Sequence, residues 1–235
     1  MRSNRSTLAK ITALLFCAAF LTGCASFPGN KIPPAGAFPD KSTFSNKPSV
    51  YFETRFETHL SGMQQAPAEN ILAREKLTAL VEEAARQSGL FSSYTTDRFE
   101  ATGKDYTIQI NVVNYGDALA ASLGGAITGL TLFLVPCRAT DGYKVNATVL
   151  DSNGQELCRY EFDDCVRTWF HLFMIFAAQN TPEKAVDKVL TNMIKTLLLR
   201  IAEQDLLKYS WLTPNDGPRV EIITLAYVKE QIRES

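Results

Sequence analysis

Histidine is nearly absent from this 235-residue chain: His59 and His171 are the only two. None of the five cysteines forms a C-x-x-C pair. A metal site needs His or clustered Cys at short spacing, so the inventory points away from a bound metal, and nothing in it asks for a cofactor. The G-x-S-x-G, H-E-x-x-H and P-loop signatures are missing as well. With them go the nucleophile elbow, the zinc-hydrolase helix and the phosphate cradle. Charge of one sign is also lacking, with 24 Lys and Arg against 25 Asp and Glu. That balance excludes a strongly basic nucleic-acid binder and leaves no polybasic patch for anionic lipid.

What is present begins at the N-terminus. Arg2, Arg5 and Lys10 form a basic region, and Ile11 to Leu21 is an apolar run. The run is too short for a comfortable bilayer crossing, which needs about 20 residues. Small residues follow, which is the layout of a secretory signal. Leu21-Thr22-Gly23-Cys24 then resembles the lipobox of bacterial lipoproteins. The resemblance implies cleavage before Cys24, a diacylglyceryl thioether on its sulfur and an acyl chain on its new amino group. Such an anchor exceeds the two signals that stable membrane attachment requires. Ala25 is not the Asp that holds many such lipoproteins on the inner membrane, which implies the outer membrane, facing the periplasm. Loss of residues 1–23 removes three basic residues and no acidic one, so 24 − 3 = 21 stand against 25, a net charge near −4.

The remainder, 235 − 23 = 212 residues, is enough for one domain. Residues 24–48 hold the lipobox cysteine and five of the ten prolines. They show no apolar period and read as an extended Pro-rich tether, with a reach of roughly 70 Å. Residues 49–210 carry the periodic elements, and 211–235 is a C-terminal tail of uncertain structure.

Val50, Phe52, Thr54 and Phe56 alternate with polar neighbours, the mark of a half-buried strand. Leu77, Leu80, Val81 and Ala84 make a helical stripe, and Gly89 stands where a left-handed C-cap is wanted. Residues 106–115 and 143–150 alternate again, Asp151-Ser152-Asn153-Gly154 is turn chemistry, and 155–162 returns as the second arm of a hairpin. Thr181-Pro182-Glu183 opens a second helix, whose face from Val186 to Ile201 stays apolar. The order predicts an α+β fold: a mostly antiparallel sheet with two amphipathic helices on one face.

Two apolar runs remain. Residues 118–137 carry no charge between Asp117 and Arg138, and 169–178 read WFHLFMIFAA. Gly124, Gly125, Gly129 and Pro136 make the first a marginal membrane span, and the second is too short to cross as a helix. GLTLFLVP, 129–136, reads as a buried strand. If it joins 143–150 and 155–162 in a meander, Pro136 and Phe162 emerge at one end and the two runs meet there. The runs are then core, an exposed apolar patch, or an inserted segment.

GLTLFLVP, the hairpin with Asp151 and Gly154, and YEFDDCVRTWFHLFMIFA with Tyr160, Asp164 and Trp169 resemble a family of Gram-negative envelope lipoproteins over roughly residues 70–205. The layout is similar, more distantly, to envelope assembly lipoproteins such as the lipopolysaccharide-assembly lipoprotein, and to auxiliary lipoproteins of envelope transporters. Neither resemblance brings a catalytic residue.

Asp163-Asp164 with Glu161 reads as solvated carboxylates at a strand end, and successive strand residues point apart. His171 reads as a core or interface histidine, and nothing activates Cys165 as a thiolate. Cys137 and Cys165, both near one end of the meander, are the candidate disulfide. The expectation is therefore a non-catalytic binding or assembly accessory, held to the membrane by lipidated Cys24. It would meet another envelope protein through Leu132, Phe133, Trp169, Phe170 and Phe173, since aromatic anchors carry much of an interface's energy. The alternative is a protein that binds lipid or a small apolar ligand in a pocket lined by the two runs.

Overall fold

The computed structural model describes residues 24–40, 44–61, 67–131, 134–177, 179–204, 206–207 and 210–211. Residues 1–23, where a signal segment is expected, most of the tail 211–235, and Leu132 and Phe133 lie outside them. The fold is α+β, as the pattern predicts: among the described residues, an open, mostly antiparallel seven-stranded sheet and three helices. The strands of the sheet are β1 (Cys24–Pro28), β3 (Ser49–Ser61), β4 (Ala68–Glu69), β5 (Ser93–Thr95), β6 (Tyr106–Asp117), β7 (Cys137–Asp151) and β8 (Glu156–Phe170). A small separate pair joins β2 (Phe44–Asn46) to β9 (Ser210–Trp211). The sheet order is β1-β8-β7-β6-β3-β4, with β5 also on β3. The pairing of β3 with β6 and with β5 is parallel.

Helices α1 (Ile71–Ser88) and α3 (Pro182–Glu203) pack on one face of the sheet. Asn70 caps α1 by accepting the Ala73 N–H at 3.0 Å, and Gly89 ends it at φ 61°, a conformation that costs glycine nothing. Thr181 caps α3, Pro182 takes the first turn, and Glu183 complements the helix dipole. Leu77, Val81 and Ala84 of α1 meet Val189, Met193, Leu197 and Ile201 of α3 in one core with Phe52, Ile108, Val145 and Val149 of the sheet. Phe52 stands edge-on to Phe91, with ring centroids 5.5 Å apart. Lys76 of α1 ties the helices together at the surface through Glu183 and Asp187 of α3, both at 2.9 Å.

Three expectations change. The first is the tether. Residues 24–28 are an edge strand of the sheet, with Ala25 fully buried and Ser26 bonded to Thr168 at 2.7 Å. A proline is tolerated at such an edge because no ladder bond is lost. Residues 29–35 then strap down along the fold. The Gly29 N–H donates to the Cys165 carbonyl at 2.6 Å, and the Lys31 N–H to buried Asp164 at 3.1 Å. Asn192 of α3 accepts from the Ala35 N–H and donates to the Pro33 carbonyl. The chain gains more from these bonds and from packing Ile32 and Phe38 on the core than from staying extended in water.

The second change is GLTLFLVP. Gly129 and Leu130 end helix α2 (Ala118–Leu130), and Leu134 to Pro136 are exposed and lie outside any strand. A short apolar run does not reveal its period. β7 begins only at Cys137, and β8 runs on to Phe170, so Phe162 lies mid-strand opposite Val145. The two runs still meet at one end of the sheet, joined through Cys137 and Phe170 rather than Pro136 and Phe162. The third change is the disulfide. Cys137 faces Phe170 and Cys165 faces Gly142, five residues apart along the ladder, or about 17 Å at the rise of a strand. A bridge needs Cα atoms within about 7 Å, and both thiols are free.

Candidate functional site

The strand directions gather one end of the sheet into a single surface. β1 and β7 start there, and β3, β6 and β8 finish there. Cys24, Phe170 and Cys137 form one row across β1, β8 and β7, and Ala25, Trp169 and Arg138 form the next. Four apolar stretches meet this end: Cys24 itself, α2 after β6, Leu134 to Pro136 before β7, and the short 3-10 segment Leu172–Ala177 after β8.

Little of this apolar surface is covered. Within α2, Thr128 is buried and Gly124 touches the sheet. A Cβ on Gly124 would stand 2.2 Å from the Cys137 sulfur, so any larger residue would make that thiol turn aside. Leu123, Ile127 and Leu130 face outward, as do Leu134, Val135, Phe173 and Phe176. Leu130 is 86 % exposed and Phe176 83 %. Singly exposed apolar side chains are ordinary; here several gather at one end of the sheet. Phe27, on the same strand as Cys24, is exposed as well.

Of the expected contact residues, Trp169 is 38 % exposed, Phe173 65 %, and Phe170 half-buried. Leu132 and Phe133 fall outside the described residues. Trp169 lies under the Arg138 guanidinium, 5.7 Å from its ring centroid, a cation–π geometry. His171 accepts the Phe173 N–H at Nδ1, 3.3 Å away, and its ring tilts against that of Phe173. It is an element of the apolar surface, remote from Cys165, which is 2 % exposed and lies beside Gly29. Leu130, Leu134 and Phe176 lie in the same two apolar runs and are exposed as well, which depends on what the tertiary fold leaves uncovered.

The acidic pair differs from expectation. Asp164 is 2 % exposed rather than solvated, and accepts the Lys31 and Cys165 backbone N–H groups. Asp163 points to the opposite face, to Lys31 Nζ and the Tyr115 hydroxyl. Burial raises the Asp163 pKa, but the bonds from Lys31 and Tyr115 outweigh it and hold the carboxyl below the ordinary value. Both carboxylates thus fasten the N-terminal strap. Among the described residues, no group of three or more His, Cys, Asp or Glu could hold a metal ion.

The sheet face away from α1 and α3 is polar. Glu53, Arg55, Gln109, Asn111, Asn146 and Arg159 line a shallow hollow of about 400 Å³ there. Gln109 donates to Glu53, and Lys144 pairs with Glu161 at 2.8 Å. Among the described residues, no helix is long and apolar enough to cross a membrane.

No protein-family model matches the chain, and no curated protein matches it either. Solved structures similar to it in layout include the following two. One is a minor lipoprotein from Acinetobacter baumannii, at 9 % identity, covering 72 % of this chain and 98 % of that one with a TM-score of 0.38. The other is the PelC dodecamer from Paraburkholderia phytofirmans, at 10 % identity, covering 75 % and 97 % with a TM-score of 0.35.

Proposed function

We propose that this chain is a cell-envelope lipoprotein, anchored through acyl chains on Cys24 to the outer membrane and facing the periplasm, and that it serves as a non-catalytic binding or assembly accessory. The observation that carries the reading is the place of Cys24. The lipobox cysteine opens the strand whose end meets the exposed apolar surface, in one row with Phe170 and Cys137. The uses of the polar groups support a role without catalysis: Asp163 and Asp164 fasten the strap, and Cys165 and His171 are far apart. The polar sheet face around Asn111 remains for another envelope protein. A pocket for an apolar ligand draws no support from the hollow on that face, which charged and amide side chains line.

The test has two parts. The mass of the N-terminal peptide of membrane-extracted protein is expected to show a triacylated Cys24. Cys24→Ser, exported behind a signal cleaved without lipidation, is expected to leave the outer-membrane fraction on an alkaline carbonate wash. An unacylated Cys24 would overturn the anchor. Retention of the serine variant through the wash would mean that the chain itself enters the bilayer. Capture of an envelope protein by the wild type, reduced by Arg55→Glu with Asn111→Asp on the polar face, would support the accessory role.

A further inference from the structure

We propose that the Cys24 end of the sheet is a seat on the bilayer, with its exposed apolar side chains dipping into the lipid interface beside the acyl chains of Cys24. The inference rests on the reading of Cys24 as the lipidated residue, and it names the surface that this end meets.

Three observations carry it. The first is the absence of slack after Cys24. Ala25 is fully buried opposite Trp169, the Ser26 N–H donates to the Asn180 carbonyl at 2.8 Å, and the Ser26 and Thr168 hydroxyls are bonded. An anchor on Cys24 therefore holds this end of the sheet directly against the headgroups, where a free tether would let it stand away. The second is that the apolar side chains crowd that same end. Leu130 and Leu134 come from the connection between β6 and β7, Phe173 and Phe176 from the connection after β8, and each is more than half exposed. α2, residues 131–136 and residues 171–177 carry no Asp, Glu, Lys or Arg, so none of their side chains resists entry into lipid as a charge does. The third is the fit of depth and chemistry. Thirteen residues of α2 extend about 20 Å, short of the roughly 30 Å hydrocarbon core, so the helix suits the interface and not a crossing. Trp169 with Arg138 over its ring sits one residue above the Cys24 row, where an aromatic ring and a cation meet headgroups. Continuity with the anchor selects the lipid surface over a second copy of the chain or a protein partner.

The test uses the full lipidated chain. Trp211→Phe leaves Trp169 as the sole tryptophan. The protein is reconstituted into vesicles of phosphatidylethanolamine and phosphatidylglycerol, with and without acyl-brominated lipid. Trp169 emission is expected to shift to the blue in vesicles and to be quenched by the brominated lipid. Phe173→Asp with Phe176→Asp, both at exposed positions, is expected to reduce that quenching while acylation and circular dichroism stay unchanged. An acylated protein whose Trp169 is untouched by brominated lipid overturns the seat and leaves the anchor standing. Shielding of Trp169 from both lipid and aqueous iodide, together with cross-links between copies, overturns it in favour of a second copy. An unacylated Cys24 overturns the anchor, and the seat with it.

Discussion

The Tyr115 hydroxyl donates to Asp163 at 2.5 Å from two strands away, with its ring lying flat across Gly142 of the strand between. A Cβ at position 142 would stand 2.2 Å from the ring, so the span requires glycine there. Asp163 in turn holds Lys31 of the strap. One tyrosine thus links the middle of the sheet to the N-terminal segment that follows Cys24. Gly142→Ala is expected to cost about 1–3 kcal/mol of stability through forced displacement of the ring. In the Tyr115→Ala background the same substitution is expected to cost much less, because the two share one contact. Denaturant unfolding of the four proteins of this cycle measures both; additive losses would contradict the contact.

The same cluster sets a pH dependence. Asp163 titrates below its ordinary value because its bonds to Lys31 and Tyr115 exceed the opposing effect of burial. Its contribution is therefore present above the unfolded value of about 3.9 and is lost as pH falls through the lower folded value. Lys31 is raised, chiefly by its bond to Asp163. Its contribution is full below about 10.4 and is lost as pH rises through the folded value. The pair is partly exposed, with side chains 46 % and 36 % accessible, so solvent screening limits it to less than about 1 kcal/mol. Lys31→Met is expected to flatten the acid limb of a stability–pH curve below about pH 4, and an unchanged limb would mean that the pair is not formed in solution.

The thiols give a third expectation. Cys137, Cys158 and Cys165 are free, with Cys165 buried and the other two partly accessible. Under native, non-reducing conditions a maleimide is expected to label Cys158 readily and Cys165 only after unfolding. Cys137 stands against Gly124 of α2, so its labelling is expected to be slower than that of Cys158. A native disulfide would show as two thiols that stay unlabelled after unfolding without reductant.

The local patterns were legible where one element carries its own signal. Alternation marked β3 and β6, Gly89 and Thr181 marked helix ends, and Asp151 to Gly154 marked the hairpin turn. The edge strand β1 was not, because its partner lies about 140 residues away and five prolines obscure a five-residue strand. Long-range pairing leaves no local period to read. The strand expected over GLTLFLVP failed for the related reason that a short apolar run suits a buried strand and an exposed helix end alike. At the candidate site, the two apolar runs were legible and Trp169 and Phe173 were chosen within them as aromatic anchors, while the exposure of Leu130, Leu134 and Phe176 in the same runs shows only once the sheet leaves one side of each connection bare.

Asn192 offers a test of whether the segment after Cys24 is a strap or a tether. Its side chain accepts the Ala35 N–H at 2.7 Å and donates to the carbonyls of Pro33 at 3.1 Å and Ile32 at 3.4 Å, so one amide on α3 satisfies three backbone groups. Leucine at 192 has nearly the same volume and none of these bonds. Asn192→Leu is expected to leave the core intact, since the residue lies outside the buried stripe of α3. It is expected to cost about 1–3 kcal/mol from the unsatisfied backbone groups, concentrated in residues 29–40. Amide exchange in that segment should rise while the amides of α3 and β6 keep their protection, since a local opening need not involve the whole core. Limited proteolysis should find new cleavage near Lys31. If the wild-type segment already exchanges and is cut as fast as the variant, the strap is not formed in solution, and residues 29–40 are the extended chain that the prolines first suggested.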